Sequence, residues 1–371
     1  MAKAEYRVYL DNTPATAEQL ARFAEIRVDQ GIGMAAEAEI DLPIGTDDAG
    51  LWSGIEEDFA QAFARIRVEV KVADADFVPL IDGPVVGNRY EMKATPDQSR
   101  MTLVVHDDSV LLNRDEKVVL FEDMAPQDIV SSVYEEAGLT PDVDAAPDAG
   151  AALQRVIVQR GTGMQLLREL ARRYGMFAYV KPGDAPGTSV GAFKLPLFAP
   201  TELPEILLIG DDRNVASFSA EFDALRPITA RAGSIALADK SVLVSSTDAA
   251  DLAPLGDSAV HDVTQPAVSL LTGTREEQTD LDAATAATVD LSSWAYAANG
   301  EIDVDKYEGV LQPYQTVTVR GIGGYLSGDY LIGRVTHVLS DSAYKQRFSL
   351  HRNARSAGSA GGGSGLPGGV F

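Results

Sequence analysis

The segment Arg65-Ile-Arg-Val-Glu-Val-Lys-Val72 alternates apolar and charged residues without a break, and this pattern decides the fold class. Strands place successive side chains on opposite faces, so Ile66, Val68 and Val70 are predicted to face a core while the charged residues between them face outward. Strands with one polar face are typical of antiparallel sheets and barrels rather than of parallel sheets that are buried on both faces.

The same alternation recurs along the chain, and each repetition predicts a further half-buried strand. The segments that show it are 36–42, 101–106, 316–320 and 347–351. The chain is therefore predicted to be mainly β, with inserted helices.

Four helices are expected between the strands. The first covers 17–23, and the second runs from Pro126, a residue suited to the first helical turn, to a stop at Gly138. The third has Thr162 as its N-cap and ends at Gly175. The fourth covers 280–297 and includes Trp294.

Length and changes of composition predict several domains. A single hydrophobic core rarely grows beyond about 250–300 residues, and this chain has 371. A segment rich in Pro, Asp and Ala at 140–152 is expected to be a linker. The predicted units are a first β-barrel-like domain at 1–115, a helix-containing middle domain at 116–200, an acidic connector at 201–300, strands completing a second β-barrel-like domain at 301–356, and a flexible Gly/Ser-rich tail at 357–371.

The charge excludes some classes of partner. The net charge of −24 argues against a protein that grips nucleic acid phosphates or an anionic membrane surface. Residues 201–300 hold 16 acidic and 5 basic side chains, a net of −11, so the negative charge is concentrated there. The chain has no cysteine, which excludes disulfides and thiolate chemistry.

The sequence shows neither a membrane-spanning apolar stretch nor a secretory signal, so we expect synthesis in the cytoplasm. The tail ends in the apolar tip Leu366-Pro-Gly-Gly-Val-Phe371. It is expected either to be disordered or to tether a docking tip.

No segment nominates an active site, so no catalytic, cofactor-binding or metal-ligating residue is predicted. The histidines, at 106, 261, 337 and 351, form no metal-binding pair, and three of them lie in predicted strands. Asp303-x-Asp305 followed by Gly309 lacks the remaining calcium ligands and is interpreted as a solvated turn. Gly321-Ile-Gly323-Gly324 lies between strands and is interpreted as a hairpin turn.

One internal similarity suggests a duplication. Gly83 in a predicted strand is followed by a polar turn and a strand that ends at His106, and Gly333 is followed in the same way by His351. A real repeat would mean two related β-domains in one chain.

Several segments resemble the tail hub proteins of contractile phages and related injection systems, the family of late control protein D and the N-terminal hub part of VgrG. The sharpest match is Val156-Ile-Val-Gln-Arg-Gly-Thr-Gly-Met-Gln-Leu-Leu-Arg-Glu-Leu-Ala-Arg-Arg-Tyr-Gly-Met-Phe-Ala-Tyr-Val180, a strand, a helix and an aromatic-rich strand. Segments 311–337 and 344–353 resemble the family's closing strands, and 77–85 and 124–139 follow the same order.

The resemblance implies a homotrimer with two barrel-like domains in each chain. Such a ring would adapt a six-fold tail tube on one side to a three-fold spike on the other, without catalysis and without a cofactor, and would be assembled into a virion or injection particle. The family usually has Pro-Gly where this chain has Pro313-Tyr314, which leaves the turn type there open. No needle follows Asn353, so the spike is expected to be a separate chain.

Other readings stay open at this point. An acidic, β-rich carbohydrate-binding or adhesin-like protein would need clustered aromatic side chains, and the chain has two tryptophans, Trp52 and Trp294. A glycoside hydrolase with a dispersed carboxylate pair is a further alternative. In a hub, the acidic surface could line the lumen and repel phosphates, or it could serve only solubility.

Overall fold

The computed structural model describes residues 4–46, 50–95, 98–147, 156–196, 198–199, 202–236, 239–271, 277–340 and 343–357. The chain is 48% strand and 17% helix, which confirms the mainly β class predicted from the alternation. The tail tip at 366–371 lies outside the described residues.

The strands of the first 143 residues are β1 (Ala4–Leu10), β2 (Thr13–Pro14), β3 (Glu25–Gly31), β4 (Glu37–Thr46), β5 (Trp52–Ser53), β6 (Arg65–Val72), β7 (Val78–Glu91), β8 (Ser99–His106), β9 (Glu116–Glu122) and β10 (Thr140–Val143). The later strands are β11 (Val156–Thr162), β12 (Phe177–Pro182), β13 (Ser189–Lys194), β14 (Ile206–Leu207), β15 (Val215–Phe222), β16 (Ile228–Ile235), β17 (Val242–Thr247), β18 (Ser258–Ala259), β19 (Ala267–Leu271), β20 (Tyr296–Asp303), β21 (Thr316–Arg320), β22 (Gly328–Ser340), β23 (Ala343–Arg352) and β24 (Ala354–Arg355). The α-helices are α1 (Ala17–Leu20), α2 (Ser109–Leu112), α3 (Pro126–Glu136), α4 (Gly163–Tyr174), α5 (Val260–Val263) and α6 (Gln278–Ser292), and short 3₁₀ turns cover Asp58–Ala60 and Val304–Lys306.

One continuous sheet joins the two ends of the chain. Its strand order is β15-β20-β23-β22-β3-β4-β8-β7-β6-β1-β2, with β21 added to β22, β14 to β21 and β5 to β4. Its apolar side chains form a single core to which residues from Val8 to Val105 and from Ile206 to Leu350 contribute. The sheet is antiparallel along this path, as the half-polar strands predicted.

A second core lies between these two parts of the chain and is built around α3 and α4. Helix α4 begins with a capping box in which Thr162 and Gln165 satisfy each other's backbone amides, and it ends at Gly175 in the left-handed conformation at φ 63°. Both limits agree with the sequence prediction. Helix α3 starts at Pro126, also as predicted, and packs Ile129 and Val130 into the same core.

The alternation in β6 is confirmed on its apolar face and wrong on its polar face. Ile66, Val68 and Val70 are fully buried, as expected. Arg67 and Glu69 are also buried, because a later segment of the chain covers the side of the strand that was predicted to face solvent.

Three boundaries also differ from the prediction. Helix α1 ends at Leu20 rather than at 23, because the chain turns there and enters β3 at Glu25. Helix α6 ends at Ser292 rather than at 297, because the residues from Tyr296 onward pair with β23 in the continuous sheet. Trp294 therefore lies outside the helix. The first four residues of the expected linker at 140–152 form β10, which pairs in parallel with β13.

The remaining strands form small sheets at the periphery. These sheets are β10-β13-β12, β9-β11, β17-β16-β19 and β18-β24. Among the helices of the described residues, none has both the length and the apolar character that crossing a bilayer requires.

Candidate functional site

Two three-stranded meanders in the continuous sheet match each other. In the first, β6, β7 and β8 pair in order, and in the second, β21, β22 and β23 do the same. The long middle strand is bulged at the same point of the pattern: Val85 pairs with Val105 directly before the bulge at Val86, and Ile332 pairs with Leu350 directly before the bulge at Gly333.

The match extends to the next two strands beyond β8 in the first meander and beyond β23 in the second. Strand β4 places Ala38 opposite Val105, and β20 places Ala298 opposite Leu350. Strand β3 then pairs with β4 as β15 pairs with β20. We call β3-β4-β8-β7-β6 the first unit and β15-β20-β23-β22-β21 the second unit.

This correspondence corrects the internal similarity read from the sequence. His106 and His351 occupy equivalent positions, each one residue beyond the Val105 and Leu350 pairs. Gly83 and Gly333 do not, because Gly83 pairs with Ile66 while Gly333 is the bulge. Gly83 is required for a separate reason, since a Cβ there would collide with the backbone carbonyl of His106.

The two units meet where β3 of the first pairs with β22 of the second, and we call this pairing the junction. It is antiparallel, with Arg334 opposite Gly31 and Ser340 opposite Glu25. The Asp29 carboxylate binds the Arg334 guanidinium through both of its oxygens, and this ion pair lowers the pKa of Asp29 even though partial burial opposes the shift.

A buried polar chain crosses the junction at His337. The Gln30 side-chain amide donates to the carbonyl of Leu80 at 2.6 Å, which leaves its Oε1 facing His337 Nε2 at 3.2 Å. The imidazole therefore donates from Nε2, and its Nδ1 accepts from the Tyr344 hydroxyl at 2.8 Å. Complete burial lowers the pKa of His337 to about 3, so the ring is neutral.

Tyr314 fixes the turn that the sequence left open. Its backbone takes φ 70°, the left-handed conformation that a glycine would supply without strain. Its ring stacks on Tyr179 at 3.7 Å between centroids, and its hydroxyl accepts from the backbone amide of Gly33 at 3.0 Å. The turn thus takes the conformation that a glycine would give, while the tyrosine joins the second unit to both the first unit and β12.

A cleft of about 610 Å³ lies beside this tyrosine, lined by the first unit, β12 and the segment before β21. Its buried carboxyl, Asp107, accepts hydrogen bonds from the amides of Ala36 and Ser109 at 2.6 and 2.9 Å. Burial raises the pKa of Asp107 and also raises that of Tyr179, to about 12. The carboxylate thus clamps a loop to the sheet.

The polar side of β6 is covered by the loop between β12 and β13. Asp82 accepts from Arg65 at 2.7 Å, from Arg67 at 3.1 Å and from the amide of Gly187 at 2.9 Å. Arg67 also donates to the carbonyl of Gly183 at 2.8 Å. The signal that sequence reasoning missed is the buried-strand aspartate on β7, which provides a partner for the two arginines on β6.

In the second unit, the residue that follows the closing histidine has a matching structural role. Arg352 is buried, and its guanidinium donates to the carbonyls of Leu255 and Leu326 at 2.7 and 3.0 Å and to the Ser356 hydroxyl at 2.7 Å. It thereby ties three loops to the end of β23. Asp107 does the same work after His106 with a charge of the opposite sign.

The histidines with a resolved partner contact protein groups. His106 binds Glu37 at 2.9 Å, and His261 lies 3.1 Å from the carbonyl of Ile228. Burial lowers the pKa of His351. Within the described ranges, no group of three or more histidine, aspartate or glutamate side chains is placed to hold a metal ion.

Similarity to known proteins identifies the family and the fold of this chain. A protein-family model described as the Alg8 N-terminal domain matches residues 15–341. Curated proteins gave no match to this sequence. Among solved structures, the fold resembles the 43 kDa tail protein of prophage MuSo2 from Shewanella oneidensis, with a TM-score of 0.66 and 15% identity over 95% of this chain and 99% of that one.

Two further structures share the fold at lower identity. One is an Escherichia coli protein described as a type VI secretion component with structural similarity to the T4 tail proteins gp27 and gp5 (TM-score 0.53, 8% identity, 96% of this chain and 79% of that one). The other is a chain of the Francisella PdpA–VgrG complex (TM-score 0.55, 6% identity, 95% and 58%). The fold over nearly the whole chain is that of phage tail and injection-system proteins.

Proposed function

The chain belongs to the Alg8 N-terminal domain family and has the fold of phage tail proteins, and we propose that it is a structural component of a phage tail or phage-like injection particle. More narrowly, we propose that it is the baseplate hub: a homotrimeric ring that lies between the tail tube and a separate spike protein.

The observation that carries the proposal is the pair of matched units in one continuous sheet. Three copies of a chain with two similar units present six similar units, while the assembly keeps three-fold symmetry. This is what an adaptor between a six-fold tube and a three-fold spike requires. The bidentate Asp29–Arg334 pair and the buried His337 chain hold the two units in one fixed arrangement, as a rigid ring would need.

The environments of the buried acidic groups support a role without catalysis. Asp107 and Asp290, whose pKa values burial raises, both accept hydrogen bonds from backbone amides and so serve as loop clamps. Asp82 is neutralised by arginines. These carboxylates are committed to structure, which distinguishes them from the acid and nucleophile of a glycosidase.

The positions of the two tryptophans weigh against a carbohydrate-binding platform. Trp294 is buried and packs edge-on against Phe198 at 5.3 Å between centroids, so its ring face is not offered to a ligand. Trp52 is exposed, on the two-residue strand β5, and does not lie beside Trp294 in sequence or in one strand. A sugar-binding surface would need such rings side by side on an exposed face.

The test is an image of the protein in its particle together with the native mass of the purified chain. We expect a mass of three chains, alone or with the spike, and a three-fold ring between tube and spike. A stable monomer that binds glycans, or a particle in which the chain lies on the periphery, would contradict the hub proposal.

A further inference from the structure

In the described part of the continuous sheet, two of the strand edges without a partner strand correspond to the strands of the junction. In the part of the chain that the structure describes, β15 pairs with β20 on one edge and has no strand on the other. Strand β7 pairs with β6 as far as Pro84, and beyond the Val86 bulge its residues pair with β8 alone. Exposed strand edges readily add another strand, so proteins usually cover them.

The open edges are the counterparts of the strands that form the junction. Strand β15 matches β3, and the end of β7 matches the end of β22. Inside one chain, β3 of the first unit pairs with β22 of the second. The two open edges are therefore equivalent to the two strands of the junction: β15 of the second unit corresponds to β3 of the first, and the end of β7 in the first unit corresponds to β22 of the second.

We propose that β15 of one chain pairs antiparallel with residues 86–92 of a second copy, repeating the junction between chains. The junction fixes the register. Val335 lies opposite Gln30, Thr336 opposite Asp29 and His337 opposite Val28. The bulge and strand pairings then place Asn88 opposite Phe222, Arg89 opposite Glu221, and Tyr90 opposite Ala220 of the second copy.

The side chains at these positions fit such a pairing. Arg89, which binds Glu39 within the single chain, would lie directly opposite Glu221 of the second copy, and opposite charges on directly opposed residues stabilise strand pairing. Tyr90 takes the place of the buried His337, and Met92 takes that of the buried Leu339. In the single chain these two side chains are 45% and 50% exposed, so pairing would remove apolar surface from water.

The turn beside the junction repeats in the same way. Phe63 corresponds to Tyr314: each has a left-handed backbone, and their amides donate to the carbonyls of the equivalent residues Val85 and Ile332. Tyr314 reaches Gly33 in the β3–β4 turn. Gly33 lies four residues beyond Asp29, and Leu225 lies four residues beyond the matching Glu221; Phe63 and Leu225 are 55% and 89% exposed in the single chain. The proposed interface brings these two apolar side chains together.

The contact is heterologous, with different surfaces meeting on the two copies, so it forms a closed ring or an open chain of subunits. The number of copies, three, rests on the proposed function. The pairing itself rests on the match between the two units. Cross-linking between chains separates the two claims.

The test uses engineered disulfides, which suit a chain without cysteine. Two double variants are made: Arg89→Cys with Glu221→Cys, and Tyr90→Cys with Ala220→Cys. Directly opposed residues in antiparallel strands have Cα atoms about 4.5–5.5 Å apart, within the range that a disulfide spans. The control, Arg89→Cys with Ser219→Cys, is shifted by two residues, or about 6.6 Å along the strand, and is out of reach.

After mild oxidation, we expect covalent links between chains in both matched variants and not in the shifted control, with trimer as the largest product. A native trimer that fails to cross-link in either matched variant would overturn the strand pairing and leave the ring intact. Cross-linked products far larger than three chains would support the pairing and overturn the trimer. A chain that stays monomeric and does not cross-link at high concentration would overturn both.

Discussion

Acid is expected to weaken the junction between the two units through a single histidine. The neutral ring of His337 donates to Gln30 and accepts from Tyr344, and it is fully enclosed. A proton on Nδ1 would remove the acceptor that the Tyr344 hydroxyl uses and would place a charge in an apolar core. The folded chain therefore resists protonation that the unfolded chain accepts freely.

The size of the effect follows from the two pKa values. In the folded chain the pKa of His337 is lowered to about 3, against 6.5 for an ordinary histidine. Because the folded value is depressed, the contribution of the neutral ring is complete above pH 6.5 and is lost as the pH falls toward about 3. Each pH unit in this window costs about 1.4 kcal/mol, so the loss at pH 5 is about 2 kcal/mol.

The assay is denaturant unfolding at pH 7 and pH 5, at one protein concentration because assembly would add to the measured stability. The comparison is between the native chain, His337→Gln and Val335→Ala. The glutamine variant removes the titrating group, whereas the alanine variant destabilises the same strand and keeps it. We expect the glutamine variant to lose about 2 kcal/mol less than the other two between the two pH values. Equal losses in all three proteins would refute the assignment of this pH dependence to His337.

Two further predictions concern the matched turns and the buried arginine. Tyr314→Gly should lower the stability of the single chain by about 2 kcal/mol or more, because it deletes the stack on Tyr179. Phe63→Gly should leave chain stability nearly unchanged and weaken association between chains at least about tenfold. Thermal unfolding measures the first effect and native mass the second, and equal effects of the two variants would contradict the assignment of Tyr314 to the junction and of Phe63 to the contact between chains. Arg352→Met should cost about 3 kcal/mol, because it leaves several buried carbonyls unpaired, while Arg347→Met, on the exposed side of the same strand, should cost less than about 1 kcal/mol.

The sequence predicted those elements whose signal is local. The apolar face of the alternation at 65–72 and the caps of α4 at Thr162 and Gly175 depend on neighbouring residues, and the structure confirms them. The polar face of 65–72 was wrong, because a later loop buries it. The predicted end of α6 was wrong because the last residues assigned to the helix belong to strand β20 instead. There they pair with β23, with Ala297 opposite His351. Tertiary pairing overrode a local preference there.

The site depends on contacts that no local pattern carries. The junction joins β3 to β22 across some 300 residues, and His337 gives no sign in the sequence that Gln30 is its partner. The Gly–His similarity pointed correctly to two related meanders, but it aligned Gly83 with Gly333, whereas the residue that corresponds to the Gly333 bulge is Val86. Only the pairing registers reveal which positions correspond.

The distribution of charge is consistent with association through the open edges. A chain with a net charge of −24 repels its own copies, so an interface between copies has to avoid like charges. Strand β15 lies in the most acidic part of the chain, yet Glu221 is its single charged residue, and the register places that residue opposite Arg89. The carboxylates at 201–300 therefore lie largely outside the strand that the pairing would bury. Backbone hydrogen bonds and the burial of Tyr90, Met92 and Leu225 would then supply the attraction, while the remaining acidic surface keeps other, unmatched contacts apart.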